Sequence, residues 1–201
     1  MKGSAAAKLE LRGGHIAVDL VNTVAWRGDP DRRVDYLVGY LDLVAWAHHA
    51  GVLSPSEART LAGCAASDQD AAAKTLRQAR RLREALHAIW TGCGSSREAA
   101  RVADAYRSAL RAKRLTVAED AGRWDDTALT VRTPLHRLAV DAVTLLTTVP
   151  RSRVKRCGDS QCGWLFLDGS HRQNRRWCSA ADCGNRARVR SFYHRTRDVS
   201  G

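Results

Sequence analysis

Four of the six cysteines fall in the last fifty residues, spaced Cys157-x4-Cys162-x15-Cys178-x4-Cys183. No other feature of this 201-residue chain constrains its fold as tightly. Two close thiol pairs separated by a short insert match the ligand pattern of a tetrahedral Zn2+ site. Each pair can bend around one ion, and the insert GWLFLDGSHRQNRRW can bring the pairs together as a hairpin. The expected strands are Trp164–Leu167 outward and Arg175–Trp177 in return, with DGSH near the turn. Four thiolates fill the coordination sphere and leave no place for water, so the expected site is structural, not hydrolytic. His171 is the competing ligand, although it falls at the expected turn, and an iron–sulfur cluster is the competing occupant. A module of this size has little core of its own. A structural zinc ion supplies about 10–16 kcal/mol of apparent folding energy at neutral pH. Trp164, Phe166, Trp177, Phe192 and Tyr193 are the expected apolar surround. The same aromatics beside basic residues could instead stack on bases.

Charge points to the same end of the chain. Of the net +12, residues 151–201 carry +8 (12 Lys/Arg against 4 Asp/Glu), and residues 1–150 carry +4 (21 against 17). With a divalent ion on four thiolates the C-terminal balance becomes +6, still strongly basic. From Asp182 onward the pattern predicts a helix with Val189, Phe192 and Tyr193 on one face. Arg186, Arg190, His194 and Arg197 lie on the other side, flanked by Arg188 and Arg195. A knuckle, a hairpin and a helix that opens on the last ligand pair together resemble a treble-clef finger. Arg172, Arg175, Arg176, Arg186, Arg188, Arg190, Arg195 and Arg197 form the candidate nucleic-acid surface. Phosphate is the natural partner, with binding that weakens steeply with salt, and arginine also reads guanine edges. The plainer alternative is a solvated charged face.

The first 150 residues read as mainly helical. Helical spacing runs through IAVDLVNTVAW (16–26) and through YLVGYLDLVAWAHHA, for which Asp35 is the expected cap. SPSE at 54–57 is a capping box. A long helix is expected over about 69–91, with Leu76, Ala79, Leu82, Leu86 and Ile89 buried; another runs from Ser96 to about Lys113, and a last one starts at Pro134. The stretch 114–132 reads as a hairpin, and TTVPRSR (147–153) as a linker. The fold class is therefore mainly α with a small β-hairpin element (α+β), ending in a treble-clef-like zinc finger with four cysteine ligands. The expected divisions are a disordered 1–8, a helical 9–150 and a finger over 151–201. AWAHHAGVLSPSEARTLAG imitates a helix-turn-helix, but Arg59 is the one basic residue of its second helix, too little for groove reading. Cys64 and Cys93 read as buried free thiols. No catalytic constellation stands out, so an enzyme is not expected. The sequence has no 18-residue apolar run and no apolar signal core at its start, so the expected setting is a reducing cytoplasm without a membrane span.

At Cys183-Gly184-Asn185-Arg186, with CGWLFLD and RRWCS before it, the chain resembles the CGNR zinc-finger family over about residues 152–195. GGHIAVDLVNTVAWRG (13–28) and YLDLVAWAHHAGVLS (40–54) resemble the ABATE domain that accompanies such fingers. The resemblance implies a bacterial, nucleoid-associated transcription regulator with Zn2+ on Cys157, Cys162, Cys178 and Cys183, and double-stranded DNA as partner. It also implies that the N-terminal domain senses a small-molecule effector or dimerises. Asp19, Asn22, Thr23, Trp26 and Trp46 are the candidate pocket, although Asx and Thr there could equally cap a helix or tie down a loop. A homodimer is expected, since doubling a small finger adds affinity and site length. An RNA-binding module and a finger that meets an acidic protein are the competing readings.

Overall fold

The computed structural model describes residues 3–118 and 121–198, with side chains in the last helix as far as Ser191. After a short turn at Ala5–Lys8 come α1 (Ile16–Val21), β1 (Val24–Ala25), β2 (Val34–Asp35), α2 (Tyr40–His49), α3 (Pro55–Ser67), α4 (Gln69–Thr91) and α5 (Ser96–Arg111). The hairpin β3 (Lys113–Ala118) and β4 (Ala121–Asp126) follows, then α6 (Thr133–Thr148). The C-terminal module consists of β5 (Val154–Arg156), β6 (Leu165–Leu167) and α7 (Asn185–Asp198). The β3–β4 strands occupy the stretch where alternation predicts a hairpin, and all three strand pairs are antiparallel.

Local chemistry sets the helix ends. Ser54 Oγ accepts the Glu57 N–H, and the Glu57 carboxylate accepts the Ser54 N–H at 2.8 Å, so the capping box forms as the sequence predicts. Asp68 caps α4 by accepting from Ala71, and Gly92 ends it in the left-handed region at φ 82°. Leu76, Ala79, Leu82 and Leu86 of α4 are buried in one core with Leu43, Trp46, Leu61, Leu135 and Leu138.

Four local expectations give way to contacts from further off. The helix expected over 16–26 stops at Val21, where Thr23 Oγ1 donates to the Leu20 carbonyl and the chain turns into β1. Asp35 does not cap α2. It lies in β2, where it receives both Arg83 guanidinium nitrogens at 2.7 and 2.8 Å. Gly39 opens α2 instead, donating its N–H to Asp42. Residues 4–8, expected to be disordered, are fastened to α2: Ala6 is fully buried, Ser4 donates to Asp42, and the Leu9 carbonyl meets His49 Nε2 at 2.9 Å. Met1 and Lys2 lie outside the described residues.

The fourth difference is in the finger. β6 pairs with β5 (Val154↔Leu167, Arg156↔Leu165), not with residues 175–177, which form no strand. Asp168 explains this. Its buried carboxylate gathers Lys155 Nζ (2.8 Å), Ser170 Oγ (2.6 Å) and the Arg175 N–H (3.2 Å), holding 168–175 as a loop. Lys155 and Ser170 keep that carboxyl well below the ordinary carboxylate range.

The finger is also docked on the helical body. Val154 and Leu165 belong to the main core, and Leu167 donates its N–H to the Gly13 carbonyl. Asn22, at the end of α1, donates to the Leu165 carbonyl and accepts the Leu165 N–H, both at 2.9 Å. Gly28 donates to the Gln161 carbonyl, and a Cβ at Gly28 would fall 1.9 Å from the Ser160 carbonyl oxygen, so glycine is required there.

Candidate metal centre and nucleic-acid interface

The four C-terminal cysteines converge. Cys157 and Cys162 lie in the loop that joins β5 to β6; Cys178 precedes the wide turn Ala180–Gly184 that leads into α7, and Cys183 lies within it. Ser179 caps that turn by accepting the Asp182 N–H. All four thiols are buried, and their sulfurs lie within 4.8 Å of one another. Cys162 and Cys178 Sγ are 3.7 Å apart, and Cys178 and Cys183 Sγ 3.5 Å. A tetrahedron with metal–sulfur bonds of about 2.3 Å has edges of about 3.8 Å. The spacing therefore suits a single tetrahedral ion, and the all-thiolate donor set suits a soft or borderline metal. Charge makes the same point. Hydrogen bonds from Cys162 and Cys178 pull the Cys157 thiol down, and donating those bonds, with burial adding to it, pushes Cys162 and Cys178 up. Four thiols this close ionise together only around a cation. His171 is exposed and stands outside this cluster.

A shell of polar contacts supports the cluster. The Cys178 N–H donates to Cys157 Sγ at 3.4 Å, and Arg186 Nη2 donates to Cys183 Sγ at 2.8 Å. Asp159, fully buried between the first two cysteines, takes Arg186 Nε at 3.0 Å and Arg190 Nη2 at 2.8 Å. Burial opposes the Asp159 charge, but Arg190 and Arg186 outweigh it and hold its carboxyl below the ordinary range. One carboxylate thus ties the knuckle to the first two turns of α7. Phe166 is fully buried beside the thiols, with Trp164 and Trp177 partly buried against them. Phe192 and Tyr193 lie outside the described side chains.

The eight candidate arginines separate into groups. Arg175 is turned inward: it donates to the Trp177, Cys178 and Arg12 carbonyls and stacks on Phe166 at 4.3 Å. Arg186 and Arg190 hold Asp159. Arg172, Arg176 and Arg188 are at least partly exposed, and none has an ion-pair partner among the described residues. Arg195 and Arg197 lie outside the described side chains. Arg156, at the end of β5, is a further exposed cation that the cysteine-centred sequence reading passed over.

The five candidate pocket residues do not line a common cavity. Trp46 is fully buried in the helical core. Asp19 accepts the Gly13 N–H at 2.7 Å, and burial pushes its carboxyl up to about 6 against that bond. Thr23 accepts from Arg83, and Asn22 clamps the finger. Trp26 alone faces a pocket, of about 250 Å3, between body and finger, together with Arg12, Tyr36, Trp164, Asp182 and Arg186. Its backbone is in the left-handed region at φ 56°, a strained setting for a tryptophan, and Arg32 stacks on its ring at 3.5 Å. Asp159 and Asp168 were missed as structural hubs. The signal for Asp159 was its position inside CGDSQC, two residues after a ligand. Of the two other cysteines, Cys64, in α3, is half-buried and Cys93, in the connection between α4 and α5, is exposed, so neither is enclosed as the sequence suggests.

Residues 14–149 match the family model ABATE, described as "Putative stress-induced transcription regulator", and residues 153–196 match the CGNR zinc finger. No curated protein matches the chain significantly. No helix among the described residues is long and apolar enough to cross a membrane.

Proposed function

The chain belongs to the ABATE family, with a CGNR zinc finger at its end, and on that premise we propose that it is a DNA-binding transcription regulator. Zn2+ is the assigned ion, on Cys157, Cys162, Cys178 and Cys183. When bound, it supplies structural cross-linking. The residues of the chain do the rest: Asp159 aligns Arg186 and Arg190 along α7, and Arg156, Arg172, Arg176 and Arg188 meet phosphate. Arg195 and Arg197 extend the basic run along the same helix. The observation that carries this reading is the Asp159 bridge, because it makes the direction of a basic helix depend on the geometry of a thiol cluster. The helical body acts as the sensor and dimerisation part, and a small-molecule effector would enter the pocket lined by Trp26, Tyr36 and Trp164. The protein works in the cytoplasm on nucleoid DNA.

The test is fluorescence anisotropy of zinc-loaded protein with the duplex upstream of its own gene and with random duplex, across a salt series. The expected log affinity falls with log salt at a slope of about −0.9 per phosphate contacted. Chelation should abolish binding. Indifference to both duplexes at low salt would defeat the proposal. Tighter binding to structured RNA would favour the RNA reading. Salt-insensitive, weak nucleic-acid binding with tight capture of an acidic protein would favour the protein-interaction reading.

A further inference from the structure

The β3–β4 hairpin has no role in the finger and stands apart from the main core. Leu115, Val117 and Trp124 are 53%, 69% and 51% exposed, and Leu115 is paired directly opposite Trp124. Directly opposed residues of an antiparallel pair share a face, and residues two apart share it too. These three side chains therefore form a single apolar patch, with Gly122 completing the face opposite Val117. The other face carries Arg114, Thr116, Arg123 and Asp125. Both strands are edges, because the sheet has two strands among the described residues. A two-stranded hairpin with an exposed apolar face is marginal alone and is completed by a further strand.

The sequence of β4 specifies which strand. Around Trp124 it reads Arg123-Trp124-Asp125. If β4 pairs antiparallel with a second β4 about a two-fold axis at Trp124, Arg123 of each copy stands opposite Asp125 of the other. Trp124 then meets Trp124. Two ion pairs form across the axis on the polar face, and Leu115–Trp124–Trp124–Leu115 makes an apolar row across four strands on the other. A slip by one residue would face Trp124 with Arg123 or Asp125 and leave the charges unmatched. Within one chain Arg123, with its side chain 78% exposed, already stands 3.0 Å from the half-buried Asp125, so acid and base lie together at the edge and can exchange partners across the axis.

We propose that the β4 edge, centred on Trp124, is the surface through which two copies of this chain pair into a continuous four-stranded sheet. This gives the dimer a location and a register, and it stands independently of what the finger binds. The interface is isologous, as a two-fold dimer requires.

Sedimentation equilibrium of the full zinc-loaded chain tests it. The wild type should dimerise, and W124E should raise the dimer Kd at least about thirtyfold. R123D and D125R should each weaken the dimer by about tenfold, because each places like charges opposite one another across the axis. Mixed together, the R123D and D125R chains should recover dimers, since one chain then presents two acids and the other two bases. Circular dichroism checks that each variant keeps its helices; a variant that fails this check is replaced by W124T, which keeps a strand-forming residue at the axis, removes the ring and should also weaken the dimer. A wild type that is monomeric at about 100 μM, a W124E dimer of unchanged Kd, or a mixture no tighter than its components would overturn the proposal.

Discussion

The helical body and the finger hold themselves together by different means. The body buries leucine, alanine and tryptophan from α2 to α6 in one continuous cluster, with Trp46, Leu61, Leu86 and Leu138 fully enclosed. The finger's own cluster is four cysteines and Phe166, and beside it lie two fully buried carboxylates, Asp159 and Asp168. A long helical body has enough apolar surface for burial to order it. A module of some forty residues does not, so directional bonds to charge and metal replace burial. The finger is consequently the more precisely shaped region and also the one with a single point of failure.

The strongest way to break this contrast is to remove one ligand. In Cys178→Ser, or after chelation, hydrogen exchange should accelerate across β5, β6 and the start of α7, while amides of α4 and α6 stay protected. Equal loss in both regions would show that the body depends on the metal. Next in size is Leu138→Ala in α6, which should cost about 2–5 kcal/mol by urea unfolding. Its effect should appear in the body with zinc content unchanged. Asn22→Asp sharpens the comparison at the seam. The carboxylate can still accept from Leu165 N–H but cannot donate to its carbonyl, so the expected cost is about 1–3 kcal/mol. Exchange at Leu165 and Leu167 should rise more than exchange in α4; the reverse would place the seam elsewhere.

The smallest effect concerns pH. Burial first, and then the charge of Arg27, lower the His87 pKa from 6.5 to about 4. The folded chain favours neutral His87, whereas the unfolded chain takes up the proton below 6.5. This contribution to stability is therefore present above pH 6.5 and lost as pH falls to about 4. Discounted for partial exposure, it amounts to about 1 kcal/mol. His87→Gln should flatten the Tm profile in that window, and an unchanged slope would assign acid lability to other groups.

Much of the body was legible because its signals are local. The capping box at Ser54, the apolar stripe of α4 and the alternation of β3 and β4 each lie within a few residues of what they determine. The four sulfurs were legible as well, since the pairing of close cysteines is itself a local pattern. Misreadings came where a distant partner decides. Asp35 looks like a cap until Arg83, 48 residues away, claims it. The β6 strand takes β5 as its neighbour because Asp168 collects the following segment into a loop. Arg175 is indistinguishable in sequence from Arg176, yet one is anchored on three carbonyls and the other is exposed. A count of positive charges overstates the surface that can reach a polyanion.

The Asn22 clamp has a consequence for synthesis. Asn22 and Leu165 are 143 residues apart, so the ribosome finishes α1 long before the strand that will satisfy it exists. During that interval water must occupy the amide, and the surface of α1 that later receives β6 stays open. The nascent chain reaches its closed form only when β6 emerges, and a chain truncated before Leu165 would be left with an uncovered seam.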